Sequence, residues 1–122
     1  MSRIVIAEDE VRLAAFIEKG LRKNGFATVI ATDGEQAVLM SQSSDVDLVL
    51  LDLGLPIKDG WTVLRELRCQ GEQKPIIIVT ANDDDGNRTL ALKLGANDYV
   101  TKPFGFNELL TRIRAQLDNI SS

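Results

Sequence analysis

Apolar positions along this chain fall into two kinds of pattern, short unbroken runs and helical stripes, and the two kinds alternate. Residues 3–7 (Arg-Ile-Val-Ile-Ala) form a β-branched run that stops at Glu8-Asp9-Glu10, which predicts a buried strand. Leu13, Ile17 and Leu21 then recur at helical spacing, predicting a helix over 11–24 with Gly25 just past its end. A second strand is expected over 27–31. Thr32-Asp33-Gly34 turns it into a helix through about 43 that carries Ala37, Val38 and Met40 inward. The run 46–51 is a third strand and ends at Asp52. Gly54, Pro56 and Asp59-Gly60 punctuate a loop, followed by a helix over 61–70 with Val63, Leu64 and Leu67 on its apolar face. The most apolar strand, 75–79, ends at Thr80. Asp83-Asp84-Asp85 opens a helix to about 94, since acids suit the positive end of a helix dipole, and Gly95 closes it. A last strand over 97–101 runs into Lys102-Pro103, and a last helix covers 104–117. The polar residues 119–122 are expected to form a loose tail or the start of a linker.

Five strand–helix units whose strands are apolar on both faces need helices on both sides of a sheet. The expected fold is therefore α/β, (βα)5: a doubly wound, parallel, three-layer sandwich with right-handed crossovers. At 122 residues the chain is expected to be one domain over 1–122.

Composition removes several function classes. There is no histidine, which excludes Ser-His-Asp and Cys-His catalysis and histidine-ligated zinc. The single Cys69 excludes an intrachain disulfide and a thiolate metal cluster, and suits a reducing, cytoplasmic setting. No apolar stretch approaches the ~18 residues of a membrane span, and the first residues do not read as a signal peptide. The net charge of −4 argues against direct nucleic-acid binding. That charge is uneven: residues 1–60 hold 10 acidic and 6 basic side chains, whereas residues 61–122 hold 8 of each.

The position of the polar residues says more. Glu8, Asp9, Asp52, Thr80 and Lys102 each follow the last apolar residue of a strand. In a parallel sheet those ends share one edge, where ligands bind at the point of strand-order reversal. Three carboxylates, a hydroxyl and an amine are thereby brought to one cleft. Carboxylates at ~5 Å repel by about 3 kcal/mol per pair at an effective dielectric near 20, a penalty that a hard divalent cation such as Mg²⁺ removes. A carboxylate beside a metal, a lysine and a hydroxyl suits a phosphoryl group, and can itself be the nucleophile that forms an acyl phosphate.

At these residues the chain resembles the receiver domains of two-component response regulators, the CheY-like superfamily. The motifs are Glu8-Asp9, Leu51-Asp52-Leu53-Gly54-Leu55-Pro56, Asp59-Gly60, Thr80-Ala81, Gly95-Ala96-Asn97-Asp98-Tyr99 and Lys102-Pro103-Phe104, and the resemblance covers roughly residues 2–119. It implies the flavodoxin-like strand order 2-1-3-4-5. It also implies Asp52 as the phosphoacceptor served by a sensor histidine kinase. Mg²⁺, or Mn²⁺ as a substitute, would be held by Asp9, Asp52 and the Gly54 carbonyl, with Glu8 reaching it through a water. Lys102 would pair with Asp52 and then with the phosphate, and Thr80 would bond a phosphoryl oxygen. Tyr99 would be the coupled aromatic that moves inward when Thr80 shifts. Lys102-Pro103 stands where the family often has a cis bond.

Lys93, Asp98, Glu108 and Arg112 resemble the dimer face of OmpR-type winged-helix transcription regulators, implying a phosphorylation-dependent homodimer. Lys93 would pair with Glu108, and Asp98 with Arg112, across the two-fold axis. DNA would then be bound through a C-terminal domain outside this sequence. The sequence departs from that pattern at Asn97, where a second acid is common, and at Glu8, where aspartate is common. Asn82 is expected to border the phosphoryl group. Other readings are a stand-alone phospho-shuttle, a receiver-like interaction module that is never phosphorylated, and a small cofactor binder. The last would want a phosphate-cradling loop where Glu8-Asp9-Glu10 instead repels anions.

Overall fold

The strand–helix alternation folds into a sheet flanked by helices on both faces, as seen in a computed structural model that describes residues 1–81 and 84–121, with side chains through 118. The elements are β1 Arg3–Ala7, α1 Val11–Lys23, β2 Ala27–Ala31, α2 Gly34–Ser41, β3 Leu48–Leu51, α3 Gly60–Cys69, β4 Ile76–Thr80, α4 Asp85–Lys93, β5 Asp98–Thr101 and α5 Phe106–Ser121. The strands pair in the order β2-β1-β3-β4-β5, all parallel.

Each strand divides its residues between two cores, which is why the strands read as unbroken apolar runs. Val5, Ala7, Val49, Leu51, Ile76, Ile78 and Tyr99 point to one side and pack on Ala37 and Val38 of α2, Val63, Leu64 and Leu67 of α3, and Ala91 of α4. Ile4, Ile6, Leu48, Leu50, Ile77, Val79 and Val100 point to the other, against Ala14, Ile17 and Leu21 of α1 and Leu109, Leu110 and Ile113 of α5. Most of these are fully buried, each valine, leucine and isoleucine contributing about 1.5–3 kcal/mol by leaving water. The α1 stripe is Ala14-Ile17-Leu21, with Leu13 only partly covered, so the buried line lies one residue from the expected one at its start.

Differences from the sequence pattern lie at element ends and have tertiary causes. α2 stops at Ser41, short of 43. There the Lys74 ammonium, arriving from the start of β4, donates to the carbonyls of Ser41 and Ser43 at 2.7 Å each and caps the helix in place of a further turn. β3 begins at Leu48, because Val46 is still in a turn closed on the Ser43 carbonyl. α5 starts at Phe106, after the cis Lys102-Pro103 bond and Gly105, and continues beyond 117 to Ser121, through the stretch expected to be loose. α4 starts at Asp85, with Asp84 as its cap accepting from the Gly86 amide at 2.7 Å; Asp83 and Asn82 lie outside the described residues. Gly25 and Gly95 follow α1 and α4 with φ of 89° and 111°, a region that favours glycine.

Candidate active site

The strand order reverses between β1 and β3, and the chain leaves both strands there with acids. The ladder continues one residue past each strand. The Glu8 amide donates to the Ala31 carbonyl and the Asp52 amide to the Ala7 carbonyl, both at 3.0 Å. These bonds fix the backbones of Glu8 and Asp52 in the sheet, so their side chains project from a rigid edge. Glu8 and Asp52 are buried and Asp9 is exposed, and the three place carboxylate oxygens within 4.8 Å of one another. The donors are all oxygens, with one carboxylate facing solvent, which is the chemistry a hard divalent cation takes.

The loop after β3 is anchored from below. Leu53 and Leu55 are buried in the core beside α3, while Gly54 between them is exposed and its amide donates to Asp52 Oδ1 at 3.2 Å. Gly60 closes the loop by donating to the Leu53 carbonyl at 2.9 Å. A Cβ there would sit 2.6 Å from the Leu53 Cα and closer still to the Asp52 carbonyl oxygen, so the position admits only hydrogen. The same loop holds Ile57 in the left-handed region, with φ of 69°.

From the far side, β5 delivers Lys102, whose amide is tied to the Thr80 carbonyl at 2.8 Å. Its ammonium reaches Glu8 Oε1 at 2.8 Å, Glu10 Oε2 at 3.2 Å and Asp52 Oδ2 at 3.4 Å. The expected partner, Asp52, is thus the most distant of three, and Glu8 is the tightest. Burial pushes the Glu8 carboxyl above its ordinary value, although Lys102 pulls the other way. Burial alone would lower the Lys102 pKa, but the bond to Glu8 and the charges of Asp52 and Glu8 outweigh it and raise the pKa. Thr80 is buried at the end of β4, the strand beside β3.

Glu10 was not singled out by the sequence pattern. Three consecutive acids after a strand were a visible signal, but which of them turns back over Lys102 is set by the turn into α1. Glu10 and Lys102 also line a groove of about 460 Å³ together with Leu13, Phe16, Ala81, Pro103 and Phe104.

Tyr99 already lies inward, 1% exposed, in the position expected of it only after Thr80 shifts, with the Arg88 guanidinium 4.9 Å from its ring centroid and donating to its carbonyl at 3.2 Å. On the α4–β5–α5 side, Arg112 binds Asp98 at 2.8 Å and approaches Glu108 at 3.8 Å within the same chain. The Asp98–Arg112 pair expected across a two-fold axis is thus formed within the single chain. Lys93 is exposed at the end of α4. Asn97 serves the fold: its Oδ1 accepts from the Ile76 amide at 2.9 Å and from Arg68 at 3.0 Å.

Comparison with known proteins agrees with this geometry. Residues 4–114 match the family model described as response regulator receiver domain. The transcriptional activator protein IrlR of Burkholderia pseudomallei is 44% identical over 115 residues, covering 94% of this chain and 50% of that protein, so the chain spans about half the length of this curated relative. The BeF3-activated N-terminal receiver domain of Klebsiella pneumoniae RstA superposes with a TM-score of 0.89 at 39% identity, covering 95% of this chain and 98% of that one. The receiver domain of the sensor histidine kinase PA1611 of Pseudomonas aeruginosa, solved with magnesium in its active site cleft, gives 0.86 at 35% identity, covering 96% and 98%. The match to one family model and the likeness to solved receiver domains extend over nearly the whole chain, and this chain belongs to the response regulator receiver domains of two-component systems.

Proposed function

We infer that Asp52 accepts a phosphoryl group from the phosphohistidine of a sensor kinase, in a Mg²⁺-dependent reaction, and that the acyl phosphate switches the α4–β5–α5 face. The observation that carries this reading is the Lys102 ammonium lodged between Glu8 and Asp52 beside three clustered carboxylates. Asp9 and Asp52, with the Gly54 carbonyl, would hold Mg²⁺, or Mn²⁺ in its place. Glu8, committed to Lys102, would act at one remove through a water. The cation supplies positive charge to the phosphoryl oxygens.

The chain's own residues do the rest. Asp52 is oriented at both oxygens, Oδ1 by the Gly54 amide and Oδ2 by Lys102. One of them forms a bond to phosphorus as the bond from phosphorus to the leaving group breaks, and the leaving group departs with that electron pair. Lys102 and the Thr80 hydroxyl then donate to phosphoryl oxygens. Phosphorylation adds about two negative charges and three acceptors at this point. Thr80 and Tyr99, on adjacent strands, carry the change to α4, β5 and α5, a shift between two packings. On that face Lys93 would pair with Glu108 across a two-fold axis, the 3.8 Å Arg112–Glu108 contact giving way at little cost, and Asp98 and Arg112, joined at 2.8 Å within one chain, would exchange partners with the second copy. The output is transcription, through a DNA-binding part outside this sequence, and the setting is cytoplasmic.

Acetyl phosphate with Mg²⁺ is expected to add one phosphoryl group to the wild type and none to Asp52→Asn, as read by intact mass. Labelling of Asp52→Asn would show that the acceptor lies elsewhere. Asp9→Asn is expected to weaken Mg²⁺ binding at least tenfold, and an unchanged titration would remove Asp9 from the metal site. Glu108→Lys is expected to weaken dimerisation of the phosphorylated protein in sedimentation. A phosphorylated wild type that stays monomeric would discard this dimer face and favour the shuttle reading.

A further inference from the structure

Lys102 has three N–H donors, and three carboxylates take them: Glu8 at 2.8 Å, Glu10 at 3.2 Å and Asp52 at 3.4 Å. A phosphoryl oxygen arriving at Asp52 can bind this ammonium only if one carboxylate lets go. The three differ in what release costs. The Glu8 side chain is 3% exposed, so an oxygen freed there stays desolvated, and Asp52, 10% exposed, is the attacking group, whose contact to Lys102 is given up only as its own oxygen bonds to phosphorus. The side chain of Glu10 is 65% exposed and returns to water.

Among the described residues, Lys102 is the side-chain partner of the Glu10 carboxylate. Glu10 is the capping residue of α1, yet its side chain makes no cap bond. Its backbone is held independently, the amide by Glu8 Oε2 at 3.0 Å and the carbonyl by the Ala14 amide at 3.0 Å. The side chain can therefore swing without disturbing β1 or α1, and it lines the same groove as Lys102.

We propose that Glu10 is a positioning residue, a solvent-side latch that holds the third donor of Lys102 and is displaced by the incoming phosphoryl group. This rests on the phosphoacceptor reading above. In the transfer from acetyl phosphate, the phosphorus–oxygen bond to acetate breaks, acetate leaves with the electron pair, and a bond from Asp52 to phosphorus forms. Lys102 exchanges its bond to Glu10 for one to a phosphoryl oxygen, and no proton is transferred.

Two variants separate a latch from a simple charge effect. Glu10→Gln keeps the shape and removes the charge, whereas Glu10→Asp keeps the charge but is too short to reach Lys102. Phosphorylation rates across an acetyl phosphate series at fixed Mg²⁺ give kcat/KM, and calorimetry with beryllofluoride gives an equilibrium affinity for a phosphoryl mimic. Both variants are expected to raise kcat/KM and tighten beryllofluoride by about two- to fivefold, the size of one partly exposed ion pair. If Gln changes both readouts while Asp behaves as wild type, Glu10 acts only through its field and the latch is wrong. The latch alone also fails if the wild type is labelled at Asp52 and neither variant differs from it. A wild type that takes no label, or a labelled Asp52→Asn, instead overturns the phosphoacceptor reading and the latch with it.

Discussion

Replacing Asp52 by asparagine is expected to stabilise this protein in the absence of metal while abolishing its proposed chemistry. Carboxylate oxygens of Glu8, Asp9 and Asp52 lie within 4.8 Å of one another. Two unit charges at that separation repel by about 3.5 kcal/mol at an effective dielectric near 20, and Asp52 faces two of them. Lys102, at 3.4 Å from Asp52 Oδ2, offsets about 5 kcal/mol on the same scale. The remainder leaves the Asp52 charge unfavourable by about 2 kcal/mol, with Asp9 contributing least because solvent screens it. Burial of the carboxylate adds to the penalty. Asparagine keeps an oxygen for the Gly54 amide, and Lys102 keeps Glu8 and Glu10 and gives up only its longest contact, at 3.4 Å. The expected gain is about 1–2 kcal/mol, or roughly 3–8 °C in Tm for a domain of this size. Thermal and urea unfolding in EDTA measure it, and a Mg²⁺ series shows the order closing or inverting, because binding to the native state stabilises mainly the wild type. Should Asp52→Asn prove no more stable than the wild type in EDTA, the cluster would be a satisfied ion network rather than a site poised for a cation.

Gly60→Ala is expected to destabilise by about 1–3 kcal/mol in urea unfolding, because its Cβ meets backbone atoms of Asp52 and Leu53 that cannot yield locally; it should also slow labelling by moving Asp52. Ile57→Gly relieves a β-branched residue at positive φ and is expected to gain about 0.5–1 kcal/mol, net of glycine's entropy, with Mg²⁺ affinity unchanged. The raised pKa of Lys102 means that the folded state binds its proton more tightly than the unfolded chain. That stability is present below the ordinary lysine value of 10.5 and is lost as pH rises through the folded value. The stability difference between wild type and Lys102→Met should therefore shrink above about pH 10.5; a difference independent of pH up to 12 would mean that Lys102 contributes by packing rather than charge.

How much of this was legible in the sequence varies with the range of the interactions. β1 and β2 match their predicted limits residue for residue, because each is bounded by residues that stop a strand, Glu8-Asp9-Glu10 after β1, and Gly25 before and Thr32-Asp33-Gly34 after β2. Asp9, Asp52 and Lys102 were visible as candidates because parallel topology alone places residues after strands 1, 3 and 5 on one edge. The end of α2 was not visible. It depends on Lys74, more than thirty residues away, donating to two carbonyls. That Asp98 and Arg112 meet within one chain, at 2.8 Å, was likewise not visible, since charge pattern shows that two side chains are complementary but not where the fold brings them together.

The alternation of apolar runs and stripes by itself determined five strands, five helices, two buried sheet faces and the edge at which the polar residues gather, because burial and backbone hydrogen bonding leave few other ways to fold such a pattern. Tertiary structure alone decided how the charges at that edge are shared. Whether Lys102 gives its shortest bond to Glu8, Glu10 or Asp52 depends on distances of a few tenths of an ångström and on which carboxylates the fold cuts off from water, and neither is written in the order of the residues.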